Sequence, residues 1–380
     1  MKKGIAFYPF NIYNVAEYIK KYKKGNITMK YESLTREQVR SVIEGRGAAP
    51  RVPVAMHFWT NPSAFGEKEA EVSKYISEYP MDVMAIGLGL PDTHNAPADD
   101  PEYRWVNYAW EDVERKNFDA SEKHGLDSNN SIPDWELLDG IIENFPKASY
   151  PGLIGWNPEE NGQYRLGCFW FCFFERHWML RGMENALTDY LLYPEEMHRL
   201  YRALTDFYKD VIIRGAKELK LDGVFTSDDI GTQKSTFFSM DVFKEFFKPY
   251  YKELIDCAHE NGMHFWLHTC GNVEQFLPDF TEIGLDVIHP IQKYTMDEKQ
   301  IAEQFGDKIC FWAGFDVQQI IPYGTADDVA EEVKFMMDTY YRKDGRFMIT
   351  AGNGITGDTP IDSLYRLYDE CFKYGIEVGK

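Results

Sequence analysis

The chain has 380 residues, 44% hydrophobic and 16% aromatic, which is ample material for a large core. Its formal net charge is −20, from 41 basic and 61 acidic residues. A surface of that sign repels phosphate backbones and anionic lipid. It therefore argues against nucleic-acid and membrane-surface roles, and against a polyanionic substrate unless a local basic pocket overrides the field.

Taken in chain order, the N-terminus "MKKGIAFYPF" carries two lysines, but its apolar stretch is short and the polar "YIKKYKKGN" follows. It reads as neither a signal peptide nor a membrane span, and residues 1–50 are expected to be an N-terminal extension. The runs "PVAMHFWT" and "DVMAIGLGL" are expected to be the first two strands. A Trp- and Asn-rich region, about 92–192, reads as loop insertions around a pocket followed by a helical approach. From Pro194 the apolar residues Met197, Leu200, Tyr201, Leu204, Phe207, Tyr208, Val211 and Ile212 recur at three- and four-residue steps. That spacing predicts a helix with one apolar face, opened by a proline in its first turn.

Five apolar runs then alternate with helical patterns: "GVFTSDD", "MHFWLHTCGN", "DVIHPIQ", "ICFWAGFD" and "FMITAGNG". Ser239 is the expected N-cap of a helix to about His259, kinked by Pro249. Thr325-Ala-Asp-Asp328 has the form of a capping box. Thr359 and Pro360 are expected to open the last helix. Alternation of this kind predicts parallel strands with helical crossovers. The expected fold is α/β, a single (β/α)8 TIM barrel of about eight strands over 1–380 with loop insertions over its C-terminal face. A doubly wound open sheet is the alternative.

In such barrels the active site lies at the C-terminal strand ends. The residues there are His57, Trp59 and Asn61; Asp92 and His94; Asp228, Asp229 and Gln233; His268, Cys270 and Asn272; His289 and Gln292; Asp316 and Gln318; and Asn353. No Ser/His/Asp elbow, P-loop, dinucleotide fingerprint or paired CxxC is present. His268 and Cys270 are two residues apart, so an extended chain turns both to one side. Imidazole plus thiolate is a common zinc pair, and a strand-end histidine beside a buried cysteine is the plain alternative. Of Asp228 and Asp229, one can enter the strand-end pocket as ligand or base while the other binds backbone amides of its loop. Trp59, Asn61, Gln233, Gln292 and Asp316 are the expected substrate contacts, and His57 and His289 further proton-transfer candidates. Arg176 and His177 lie in the aromatic stretch before the long helix, and Arg181 reads as structural. The six cysteines (Cys168, Cys172, Cys257, Cys270, Cys310 and Cys371) are sparse and mostly lie in apolar runs, which points to a reduced, cytoplasmic protein.

The segments "FFERHWMLRGMENALTDYLLYPEEMHRLY", "DGVFTSDDIGTQ", "HTCGN…FLPDFTEIGLDVIHPIQ", "FWAGFDVQQIIPYGT" and "GNGITGDTP" together resemble the uroporphyrinogen decarboxylase superfamily, over about residues 165–375. That superfamily also contains corrinoid- and zinc-dependent methyltransferases. The resemblance implies a (β/α)8 barrel. The decarboxylases carry an arginine-rich signature where this chain reads "MHFWTNPSAFG", so the resemblance is closer to the methyltransferase branch. That branch implies zinc held by His268, Cys270 and a second cysteine near the last strand, where Asn353 stands here. The shell is then to be completed by Asn353, Asp228, Asp229, His57 or His289. The branch also implies a methylcorrinoid carried by a partner protein and a small-molecule substrate, with methoxylated aromatics favoured by an aromatic, arginine-poor pocket. A homodimer is left open. A metal-free decarboxylase using Asp228 or Asp229 as proton donor is the alternative.

Overall fold

The computed structural model describes residues 28–47, 49–93, 95–107 and 131–380. Most of the expected extension, His94 and the middle of the insertion-rich region lie outside the described residues. The chain divides into two compact units. The first takes residues up to Gly87, Trp156–Cys168 and Asp286–Lys380; the second takes Leu88–Gly155 and Phe169–Leu285.

Among the described residues there are seven strands, β1 to β7 in sequence order. In the first unit β1 (Val83–Gly87) pairs in parallel with β2 (Tyr164–Cys168), and β5 (Val287–His289), β6 (Cys310–Phe315) and β7 (Phe347–Ala351) form a second parallel set. In the second unit β3 (Gly223–Ser227) pairs in parallel with β4 (His264–His268). Every residue of β2, β3, β4, β5, β6 and β7 is buried, as expected for parallel strands covered on both faces. The α/β alternation read from the sequence is present, with parallel strands and helical crossovers in each unit.

The eighth strand is a correction. "PVAMHFWT" gives two isolated parallel bridges, Val54 to Ile349 and Thr60 to Ile355, separated by a 3-10 turn over Met56–Trp59, and no strand. Proline at position 53 has no N–H to donate. The segment's backbone ladder to β7 is limited to Pro53 O, which accepts from Ile349 N at 3.0 Å, and Ala55 N, which donates to Ile349 O at 3.2 Å, with the Thr350 hydroxyl donating to Ala55 O at 3.2 Å beside them. Conversely β2 lies inside the stretch read as insertions, where Arg165 and Gly167 break the apolar pattern.

The longer helices are α1 (Phe174–Arg181), α2 (Pro194–Leu219) and α3 (Lys248–Glu260) in the second unit, and α4 (Ala326–Tyr340) and α5 (Ile361–Glu377) in the first. The predicted apolar face of α2 is buried throughout, with Pro194 in its first turn. Ser239 Oγ accepts from Val242 N, as expected of a cap. Instead of one kinked helix, a π-turn over Phe243–Phe247 precedes α3, with Pro249 in the first turn of α3. The wider turn removes the conflict between the proline ring and the preceding carbonyls. The Thr325 capping box of α4 is formed. The last helix starts one residue later than expected, with Pro360 as its cap. Among the described residues no helix is long and apolar enough to cross a membrane. All six cysteines are free.

Candidate metal centre

The second unit brings three ligand-type side chains together at the ends of β3 and β4. Asp229, His268 and Cys270 offer ligand atoms that all lie within 4.8 Å of one another. His268 Nε2 is 3.3 Å from Cys270 Sγ and 3.5 Å from Asp229 Oδ1. Cys270 lies beyond the last strand residue, so strand periodicity alone does not place it. Two loop contacts do. The Cys270 N–H donates to Asp229 Oδ1 at 2.7 Å. Gly271 adopts φ 86° and packs against Gly231. A Cβ on Gly231 would stand 2.7 Å from the Cys270 carbonyl, and one on Gly271 would stand 2.7 Å from that of Thr232. Only two glycines allow the backbones to approach this closely. The loops are closed further by Asn272 N donating to Thr232 O at 2.7 Å.

The two adjacent aspartates have separate roles. Asp229 is partly exposed and faces His268 and Cys270. Asp228 is fully buried and turned to the start of α1. Its Oδ2 accepts from Phe173 N at 3.0 Å, Phe174 N at 3.1 Å and the Tyr251 hydroxyl at 2.6 Å, and its Oδ1 accepts from Glu175 N at 2.8 Å. A carboxylate at a helix N-terminus satisfies otherwise orphaned donors. The amides belong to α1, not to the loop of Asp228 itself. Burial still raises its carboxyl to about 6, against the pull of Tyr251 and the three amides.

Beside this pair, Glu175 accepts from Ser227 Oγ at 2.5 Å. Burial, and then the charges of Asp229 and Asp228, raise its carboxyl well above the usual range. Burial lowers the pKa of His268, with Asp229 partly opposing, so its ring is neutral at neutral pH. The Trp170 ring meets the His268 ring edge-on, 6.2 Å between centroids. Sequence reasoning gave no role to Glu175 or Trp170. Their signal is a charged first helical turn, "FERH", directly after the aromatic "FWFCF". Gln233 lies exposed on the loop after β3. Arg181 is structural as read: its guanidinium holds Asp189 through Nε at 2.9 Å and a second nitrogen at 3.0 Å, over the Trp135 ring.

In the first unit the expected residues have these surroundings. Trp59 stacks on His289 at 4.8 Å, and His289 Nε2 donates to Ala351 O at 2.9 Å. His57 is buried and donates from Nε2 to Ile76 O at 2.9 Å. Asn61 Oδ1 accepts from Ser63 N, Asp316 accepts from Gln318 N and Ile320 N, and the Gln292 carbonyl accepts from Thr295. Asn353 is exposed, and its Oδ1 accepts from Gly354 N at 2.7 Å.

The model of one protein family, uroporphyrinogen decarboxylase (URO-D), matches residues 174–374 of this chain, from the first residue of α1 to within α5. The chain belongs to the URO-D family. Within the URO-D family it is similar to the methylcobamide:CoM methyltransferase MtbA of Methanosarcina acetivorans, at 28% identity over 172 residues, 45% of this chain and 48% of that one. The MtbA of Methanosarcina mazei is 27% identical over the same shares. The chain thus spans about half the length of the curated relatives it matches. A solved methyltransferase from Methanosarcina mazei covers 90% of this chain and 99% of its own, with a TM-score of 0.53 and 14% identity, which shows the shared fold.

Proposed function

We propose that this URO-D-family chain is a methyltransferase component. It would move a methyl group between a small substrate, a methoxylated aromatic in the favoured case, and a corrinoid carried by a second protein. The observation that carries the reading is the Asp229–His268–Cys270 cluster at two adjacent strand ends. The names of the MtbA relatives, which specify methylcobamide as a substrate, support the same reaction class.

The cluster suits zinc. Tetrahedral N, S and O ligands at bond lengths of about 2.0–2.3 Å stand roughly 3.4–3.6 Å apart. The observed 3.3 and 3.5 Å separations are close to that. One imidazole, one thiolate and one carboxylate leave a fourth position open, as catalytic zinc sites do. Asp229 takes the place that the family resemblance gives to a second cysteine. Zinc, when bound, supplies Lewis acidity to the heteroatom that gives or accepts the methyl group.

The chain's own residues do the rest. Burial keeps the His268 ring neutral and able to coordinate. The Cys270 amide fixes the Asp229 carboxylate. The Gly231–Gly271 contact holds the two loops in register, and Asp228 ties β3 to α1 behind them. The zinc content of the purified protein, beside His268→Ala and Cys270→Ala, tests the reading. About one zinc per chain is expected for wild type, with loss in both variants. Transfer of methyl from a methoxyarene panel to cob(I)alamin, followed by visible absorption, tests the reaction. No zinc under any metal supplement, or no methylcobalamin across the panel, sinks the corresponding half.

A further inference from the structure

Arg176 is a buried cation of the second unit that the proposed mechanism leaves unused. It lies in α1, 4% exposed. Its guanidinium carbon is 4.7 Å from the Trp105 ring centroid and 5.5 Å from that of Phe171. One terminal nitrogen donates to the Trp170 carbonyl at 3.2 Å. Among the described residues its buried Nε has no acceptor, and neither has the indole Nε1 of Trp105 against which it stacks. Among the described residues no carboxylate pairs with it.

The nearby acids are committed elsewhere. Glu175 accepts from Ser227, and Asp228 is surrounded by three amides and Tyr251. The Tyr208 hydroxyl oxygen accepts from the guanidinium, while its O–H donates to the Phe171 and Cys172 carbonyls, so it supplies a neutral partner and no counter-charge. Ring stacking offsets part of the desolvation of a buried arginine. It does not replace a counter-charge, and two stacked, unsatisfied N–H groups leave donor capacity that an anion's oxygens would meet.

The surrounding turn is built for this placement. Phe171 is a bulky residue at φ 68°, a conformation that costs energy and marks functional turns. Its amide is held by Ser227 Oγ at 3.1 Å. The half-buried Trp170 contacts both sides of the turn, its carbonyl accepting from Arg176 and its ring meeting the His268 ring edge-on.

We propose that Arg176 and Trp105 form an anion subsite that takes the carboxylate of the small substrate, with Trp170 in contact with both Arg176 and His268. The assignment of that carboxylate to the methyl-transfer substrate rests on the function proposed above. The subsite itself does not. Arginine fits because its planar fork suits a carboxylate. It supplies a local cation within an acidic chain, and it makes the favoured substrate an aromatic acid.

The test is calorimetric titration of the full-length protein with benzoate and with its neutral isostere benzamide. Benzoate is expected to bind at least 10-fold more tightly. Arg176→Met should remove the preference, and Arg176→Lys should retain part of it. Trp105→Phe, which keeps the ring and removes the N–H, should weaken benzoate several-fold while leaving zinc content unchanged. If Arg176→Met does not fold, Trp105→Phe carries the test. Equal binding of the two probes by wild type, a preference that survives in Arg176→Met, or a Trp105→Phe variant that binds benzoate like wild type overturns the proposal. Neither zinc nor a corrinoid partner is read in this titration. Failure here leaves the methyl-transfer reading standing, and failure of methyl transfer leaves the subsite standing.

Discussion

Two neighbouring aspartates of identical chemistry have different surroundings, and the surroundings decide their use. Asp229 keeps an exposed edge and turns to nitrogen and sulfur. Asp228 is enclosed by four donors and anchors a helix. The sequence allowed this division, because adjacent side chains on an extended strand diverge, but it did not say which residue goes where. That depends on α1, whose first amides come from a segment more than fifty positions earlier. The same limit applies at Asp189. Burial works against its ionisation, but the hydrogen bonds from His177 and Arg181 overcome it and hold the carboxyl at about 2. A carboxyl depressed on folding contributes stability above its unfolded pKa, and that contribution is lost as pH falls through the folded value. Asp189 should therefore contribute roughly 2 kcal/mol near neutrality that disappears between about pH 4 and pH 2. Urea unfolding of wild type and Asp189→Asn across that window checks it: the difference between the two should shrink as pH falls. A constant difference would show that the ion pair is not the source.

At the scale of elements, the strand-end loops fix the candidate centre. Gly231 and Gly271 hold them backbone to backbone. Gly271→Ala places a Cβ against the opposite loop at a residue with positive φ. It should cost on the order of 1–3 kcal/mol and displace Cys270. Thermal melting and zinc content should fall together, whereas a melting loss with full zinc content would separate the loop from the centre. Much of this was legible in the sequence. The apolar runs at the ends of which Asp228, His268 and His289 stand are strands, and the stepped apolar residues after Pro194 are one helix face. Two elements were not legible. "PVAMHFWT" has strand composition, but Pro53 removes a ladder donor and the chain turns at once into a 3-10 helix. β2 is five residues long and carries a buried arginine and a glycine, so its pattern reads as loop. The Cys270 position was inferred from strand period, although the chain has left the strand there and the Asp229 contact places it.

At the scale of the whole molecule, family membership and topology agree, and the departures from the family pattern say the most. The chain has no cysteine near its last strand, where the family resemblance requires one. In the centre proposed above, Asp229 offers an oxygen in its place, beside the nitrogen and sulfur of His268 and Cys270. The large negative charge remains compatible with an anionic substrate only through a local cation, and Arg176 is placed to be one. The central claim is that Asp229, His268 and Cys270 together hold zinc. X-ray absorption at the zinc edge of the purified protein tests this most directly. The account predicts one sulfur at about 2.3 Å and otherwise nitrogen and oxygen ligands near about 2.0–2.2 Å, with the sulfur shell absent in Cys270→Ala. Two or more sulfurs per zinc, or a spectrum unchanged in Asp229→Ala and Cys270→Ala, would contradict it.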